Sequence, residues 1–130
     1  MNDTQLYQEI LMDHYRYPRN GGTLDNPDFL TDSINPSCGD SVTFAGKVCA
    51  QKLIEVKFQG KGCVISQAAA SLLTERVKNS KLVDIRALDV HTMQLLLGMQ
   101  LGPTRLRCAL LPLEALQKGI HEYAQSHKGA

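Results

Sequence analysis

The chain carries 4 cysteines among 130 residues, and they are the side chains with the most chemistry to offer. As thiolates they bind soft metal ions and attack sulfur. As thiols they pack as small hydrophobes. Cys38 sits in Asn35-Pro36-Ser37-Cys38-Gly39-Asp40. Pro36 stiffens the approach and Gly39 permits a sharp turn, so thiol and carboxylate can face a single ion. The plainer reading is that Asp40 caps a turn, and the motif alone favours it. Cys63 follows Gly60-Lys61-Gly62 and precedes a helical pattern. At a helix N-terminus, backbone N–H groups stabilise a thiolate; a small residue buried at a tight strand-to-helix turn explains the position equally well. Cys108 sits in Arg105-Leu106-Arg107-Cys108-Ala109-Leu110-Leu111-Pro112. An inward-pointing Arg107 would favour its thiolate or a persulfide anion; solvated arginines beside a core cysteine are the equal alternative. Cys49, in Lys47-Val48-Cys49-Ala50-Gln51-Lys52, has no glycine, carboxylate or helix beside it and reads as an incidental thiol.

The combination says more than each motif does. Cys38, Cys63 and Cys108 all fall at element junctions in settings that favour thiolate, and Asp40 would complete four ligands. No pair fits C-x-x-C, so a zinc ribbon and a thioredoxin motif are both absent. A Cys₃Asp set can hold tetrahedral Zn²⁺. It can also hold a [2Fe–2S] cluster, for which four thiolates are usual. Carboxylate is harder than thiolate and binds soft iron–sulfur units less firmly. Such a cluster would be easy to release, which suits passing it on rather than storing electrons. A purely structural zinc site in an interaction module is a further alternative, and chelation would then unfold the domain.

The fold must assemble these widely spaced donors. Leu6, Tyr7, Ile10, Leu11 and His14 recur at helical spacing. Asp3 or Thr4 can cap that helix, and Tyr17-Pro18 ends it. The turn-rich stretch from Pro18 to Pro36 carries Phe29 and Leu30 and should pack on the domain rather than hang free. Val42, Phe44, Gly46 and Val48 alternate with polar positions, as do Ile54, Val56 and Phe58, which predicts an antiparallel hairpin with Cys49 at its tip. Leu30 to Ile34 predicts a third strand. Ile65, Ala68, Ala69, Leu72, Leu73, Arg76 and Val77 predict a helix with one apolar face, stopped at Asn79-Ser80. Short helices are expected near Val83–Ala87 and Val90–Leu97. Gly98 and Gly102-Pro103 should break the chain. A last helix from about Cys108 to Tyr123 would then put Pro112 in its first turn, where a missing N–H costs least, and Cys108 at its entrance. Helix, then strands, then helices indicates α+β, with helices on one face of a small antiparallel sheet.

Composition narrows the functions. The length suits one domain over residues 1–130. Lys+Arg 14 against Asp+Glu 13 gives a net charge of +1, which disfavours a broad nucleic-acid surface. Aromatic residues are 5%, with no Trp, so a base-stacking platform is not expected. Apolar runs are too short to span a membrane. The polar, acidic start MNDTQLYQEI resembles neither a signal nor a transit peptide, so a cytoplasmic location with reduced cysteines is expected. Other side chains read as structural. His14 lies on the apolar face of the first helix as a satisfied packing residue, and His91 caps or flanks a short helix. His121 and His127 should be exposed. Ser66 and Ser71 have no partners for nucleophilic catalysis. Tyr7, Tyr15 and Tyr17 should pack or sit at an interface, and Leu95 to Met99 should be core.

These motifs, in this order, resemble the U-type iron–sulfur cluster assembly scaffolds: IscU, SufU and the N-terminal domain of NifU. Leu6-Tyr7 through Met12-Asp13-His14-Tyr15 and Pro18-Arg19-Asn20 resemble the family's N-terminal helix and turn. Asn35 to Asp40 resembles its first ligand loop, Phe58 to Cys63 with Ser66 and Leu72-Leu73-Thr74-Glu75 its second, and Arg107-Cys108 with Leu110 and Ala115-Leu116 its third. The resemblance implies a three-stranded antiparallel sheet with a C-terminal helix. It implies a non-enzymatic scaffold that takes persulfide sulfur from a pyridoxal-phosphate cysteine desulfurase, binds iron, builds a transient [2Fe–2S] cluster and passes it to apo-proteins. Cys38, Asp40, Cys63 and Cys108 are then the ligands of cluster or metal, and Cys108 and Cys38 the candidate persulfide acceptors. Two departures stand out. Where IscU members carry Leu-Pro-Pro-Val-Lys, recognised by a dedicated Hsp70 chaperone, and then a His, this chain has Leu101-Gly102-Pro103-Thr104-Arg105 and then Arg107, which argues against that chaperone as a partner. Arg107 and Met12-Asp13-His14-Tyr15 look more like SufU, yet the SufU insertion before the third cysteine is missing. The alternative implied is a SufU-like, zinc-dependent sulfur shuttle that stimulates a desulfurase.

Overall fold

A computed structural model describes residues 3–37 and 39–127; Cys38 therefore lies outside the described residues. The elements run α1 (Asp3–Arg16), β1 (Phe29–Asn35), β2 (Asp40–Cys49), β3 (Lys52–Lys61), α2 (Val64–Val77), α3 (Leu82–Arg86), α4 (Val90–Leu97) and α5 (Pro103–Ser126). The strands form one antiparallel sheet in the order β1-β2-β3. Helices α2 and α5 lie against the sheet, and α1 packs on α2. The fold is α+β, as the order of elements predicted. Among the described residues no helix is long and apolar enough to cross a membrane.

The sheet positions the ends of its strands with little freedom. Pairing of β1 with β2 closes at Asn35 opposite Asp40. The β2–β3 hairpin turns on Ala50 and Gln51, which adopt φ of 53° and 65°, the left-handed pair a two-residue turn requires. Cys49 is exposed at that tip. One expectation fails within β3. Strict alternation puts Ile54 on the core side with Val56 and Phe58, but Ile54 is 39% exposed and Leu53 is fully buried. The register slips between Lys47 and Val48, so Glu55 pairs with Lys47 and Leu53 with Val48. Ile54 is the extra residue of a bulge, and a bulge reverses the facing of everything on one side of it.

Between sheet and helices lies one core, with Val42, Phe44, Leu53, Val56 and Phe58 joined by Ala69, Leu73, Leu116 and Ile120. Helix α2 is more enclosed than a single apolar stripe implies. Ala68, Ala69, Ala70 and Ser71 are all buried in succession, because α1, α5 and the sheet surround it. Small side chains let those neighbours approach. The irregular stretch after α1 does pack on the sheet. Gly22 N–H donates to Phe58 C=O and Phe58 N–H to Asn20 C=O, each at 2.9 Å, while Asp28 accepts the Val48 N–H at 2.7 Å.

Helix α5 begins earlier than the sequence reading placed it. Gly102 is its N-cap and Pro103 opens it, because proline is well suited to a first turn whose N–H groups lack helical partners. Pro112 is therefore interior, and Cys108 lies in the second turn rather than at the entrance. Tertiary packing overrides the cost of an interior proline. The helix is pressed on β1, where Thr31 Oγ1 donates to Ala115 C=O at 2.8 Å. At Gly119 a Cβ would sit 2.5 Å from the Phe29 ring and 2.8 Å from Thr31 Oγ1.

A polar cluster fastens α1 to α2. Buried His14 places Nδ1 2.6 Å from Ser71 Oγ and Nε2 3.6 Å from Glu75. Ser71 Oγ also accepts the Arg19 N–H at 2.9 Å, and Asn20 donates to Thr74 Oγ1 at 3.0 Å. Burial pushes the His14 imidazole below its ordinary value and the Arg19 guanidinium pushes the same way, against Glu75 and Asp13. A neutral ring protonated at Nε2 would accept from Ser71 and turn its N–H toward Glu75.

Two outcomes follow. Gly119→Ala should lower stability by about 1–2 kcal/mol in a denaturant titration, since overpacking against Phe29 outweighs the roughly 1 kcal/mol gained in helix propensity. Because the His14 pKa is lowered in the folded state, its contribution is complete above the unfolded value and is lost as pH falls through that value toward the folded one. The denaturation midpoint should therefore drop as pH falls below about 6.5, and His14→Gln should flatten that dependence.

Candidate metal centre

Three of the four expected site residues are described, and the fold brings all three together. Asp40 opens β2 and is completely buried. Cys63 is the N-cap of α2 and is exposed. Cys108, 4% exposed, faces inward from α5. One ligand atom from each lies within 4.8 Å of the others. The fourth, Cys38, is outside the described residues, two positions before Asp40 in the chain.

The carboxylate is fixed by the backbone of the next ligand. Cys63 N–H donates to Asp40 Oδ1 at 2.8 Å, and Cys63 Sγ lies 3.5 Å from Oδ2. Gly62 makes this possible. Its φ of 139° is open to glycine alone. A Cβ there would overlap Asp40 Oδ1 and stand 2.7 Å from Cγ. Buried carboxylates are tolerated only with hydrogen bonds or an ion to compensate them, and here the carboxylate lies beside two thiols.

This donor set fits a single thiophilic ion. In a tetrahedral zinc site, bonds of about 2.0 Å to oxygen and 2.3 Å to sulfur place neighbouring ligand atoms about 3.5–3.8 Å apart. A contraction of roughly one ångström would bring these donors onto one ion. Cys49 has no share in it, since it ends the strand that Asp40 begins, about 30 Å away at ~3.4 Å per residue. Arg107 is exposed, not turned in on Cys108. Among the described residues the group contains no histidine.

Residues 6–130 match the NifU-like N terminal domain family. The chain belongs to that family. It is 33% identical over 132 residues to the zinc-dependent sulfurtransferase SufU of Bacillus subtilis (strain 168), covering 88% of this chain and 89% of that protein. It is 35% identical over 121 residues to the iron–sulfur cluster assembly scaffold protein IscU of Haemophilus influenzae, covering 90% and 94%. Among solved structures, a putative iron–sulfur cluster assembly scaffold protein for the SUF system from Fervidobacterium islandicum AW-1 superimposes with a TM-score of 0.74 at 25% identity, covering 92% of this chain and 99% of that one. The N-terminal part of a NifU-like protein from Brucella abortus shares the fold, with a TM-score of 0.75 at 17% identity over 95% and 99%.

In this NifU-like domain, residues beyond the donors shape the centre: Ser66, which the second motif contains but to which the sequence assigns no role, and Gln67, which no motif marks. Ser66, which the sequence gives as a helix residue with no partners for nucleophilic catalysis and as part of the second motif, supports the N-cap. Its N–H donates to Cys63 Sγ at 3.4 Å and its hydroxyl to Cys63 C=O at 3.2 Å. Gln67 donates to Ser66 Oγ at 3.2 Å and reaches Ser41 C=O at 3.5 Å, clipping the start of β2 to the start of α2. The signal available was the spacing Cys63-x-x-Ser66, the offset of an N-cap from its N3 residue. His14, by contrast, is a packing residue, as expected.

Gly62→Ala should weaken zinc binding about 10–100-fold in a chelator competition, the usual cost of disturbing a residue that orients a ligand. An unaltered affinity would show that the Asp40–Cys63 geometry is not what the ion reads.

Proposed function

We propose that this domain is an iron–sulfur cluster assembly scaffold that accepts persulfide sulfur, binds iron, and builds a labile [2Fe–2S] cluster for transfer to apo-proteins. The convergence of a buried carboxylate with two thiols carries the reading. A thiolate, Cys108 or Cys38, attacks the terminal sulfur of a persulfide on a pyridoxal-phosphate cysteine desulfurase. The donor's S–S bond breaks, the donor leaves as a thiolate, and the sulfane sulfur stays on this chain as a persulfide, with no net redox change. An external electron donor reduces that sulfur to sulfide as iron enters. Cys38, Asp40, Cys63 and Cys108 hold the cluster, and the harder Asp40 oxygen is the ligand most easily exchanged. Relatives named as IscU scaffolds support the reading.

A second reading, a zinc-dependent sulfur shuttle, draws on the compactness of the donors. Three donors within 4.8 Å suit one ion, whereas a two-iron cluster divides its ligands between two metals. The B. subtilis relative named as a zinc-dependent sulfurtransferase points the same way. When bound, zinc would hold the thiols as thiolates and act as a Lewis acid. Asp40, held by the Cys63 N–H, would then be the fixed oxygen ligand.

Anaerobic reconstitution with ferrous iron, a cysteine desulfurase, L-cysteine and dithiothreitol should give a visible cluster spectrum. Asp40→Ala should prolong the cluster's lifetime several-fold. Absence of a spectrum, with about one zinc retained per chain and desulfurase stimulation lost on chelation, would replace the scaffold by the shuttle.

A further inference from the structure

We infer that the free edge of β3 beside the thiol centre is a docking groove for an extended segment of the sulfur-donating protein, one that presents an anionic cysteine persulfide. The inference rests on the sulfur-accepting role proposed above and adds where the donor binds.

Strand β3 is one of the two outer strands of the sheet, and its edge is covered in two places. At one end Leu53 N–H donates to Ser80 C=O and Leu53 C=O accepts from Asn79 N–H; further along, Phe58 N–H and C=O are taken by Asn20 and Gly22. Phe58 therefore directs its main-chain groups away from β2, and by the two-residue repeat of a strand so does Gly60. No backbone outside the sheet pairs with Gly60 among the described residues. The cover stops at Phe58, and the uncovered Gly60 lies three residues before Cys63.

A groove of about 440 Å³ runs along this stretch, lined by Tyr15, Pro18, Gly60, Lys61, Gly62 and Gln67. Gly60 and Gly62 owe their identity to internal crowding. A Cβ on Gly60 would come within 2.5 Å of Ser41 C=O and 2.9 Å of Gln67 Oε1. The result is a stretch in which Gly60 and Gly62, on either side of Lys61, carry no side chain, and an unpaired edge of this kind can pair with an incoming extended chain. Tyr15, 40% exposed, forms an aromatic wall of the kind that anchors interfaces. Lys61 is exposed at the rim, and its ammonium complements a persulfide anion. Three residues at ~3.3 Å each separate Gly60 from Cys63. A donor segment paired at Gly60 thus sets a cysteine about three residues further on at the thiol centre.

The test uses the full chain with a purified pyridoxal-phosphate cysteine desulfurase supplied with L-cysteine. Hydrogen exchange at the Gly60 amide should slow at least tenfold in the complex. Lys61→Glu should raise the half-saturating concentration for desulfurase stimulation about tenfold while the thermal melt stays that of the parent. Tyr15→Ala should act in the same direction. Stimulation with unchanged Gly60 exchange, or with protection centred instead on Tyr7 and Leu95, would overturn the edge groove and leave the sulfur-accepting role standing. No stimulation and no complex would overturn that role, and the groove's occupant with it.

Discussion

The hydrogen bond from the Cys63 N–H to the Asp40 carboxylate joins the start of β2 to the start of α2. It gives a fully buried carboxylate one of the partners it needs, and it fixes how far that carboxylate stands from the Cys63 sulfur. Gly62 is the condition for it, since any side chain there would occupy the space of the carboxylate. Cys108 arrives from a third direction, because α5 is pressed against β1 at Thr31 and Gly119. The position of each of these three donors thus traces to a backbone constraint rather than to a flexible side chain. Sites on rigid elements hold their geometry better than sites on loops.

The parts of this architecture that are local were legible in the sequence. Helices α2, α3 and α4 and the β2–β3 hairpin follow from apolar periodicity and from turn residues between them. The bulge at Ile54 was not legible, because it belongs to the pairing of two strands and neither strand's own pattern contains it. The start of α5 was misread for a related reason. Gly102-Pro103 is the same pair whether it ends one segment or opens a helix, and Pro112 weighed toward a later start until packing on the sheet is considered.

The donor set was legible as chemistry, residue by residue, and its assembly was not. Nothing in Asn35 to Asp40 states that the carboxylate will bond the amide of a residue in another motif. The capping role of Ser66, and Gln67 altogether, are not legible because a cysteine N-cap is uncommon and the spacing that marks a cap does not stand out. The helix that carries Met12-Asp13-His14-Tyr15 is legible from its apolar spacing, but its structural task emerges only in the fold. The His14 and Ser71 contacts anchor its end to α2, and that anchorage sets Tyr15 and Pro18 beside Gly60.

Three candidate ligands, at the start of β2, at the N-cap of α2 and within α5, have a thermodynamic consequence. They lie far apart in the chain and meet only when the sheet and both helices have docked, so the unfolded chain has no comparable site. An ion held by all of them binds the native state alone, and by mass action it deepens the folding well by about 4 kcal/mol when its free concentration is a thousand times its dissociation constant. Binding or loss of such an ion would then change the cooperativity of the whole domain. Removing an ion from such a centre would draw on the same free energy that holds the helices to the sheet.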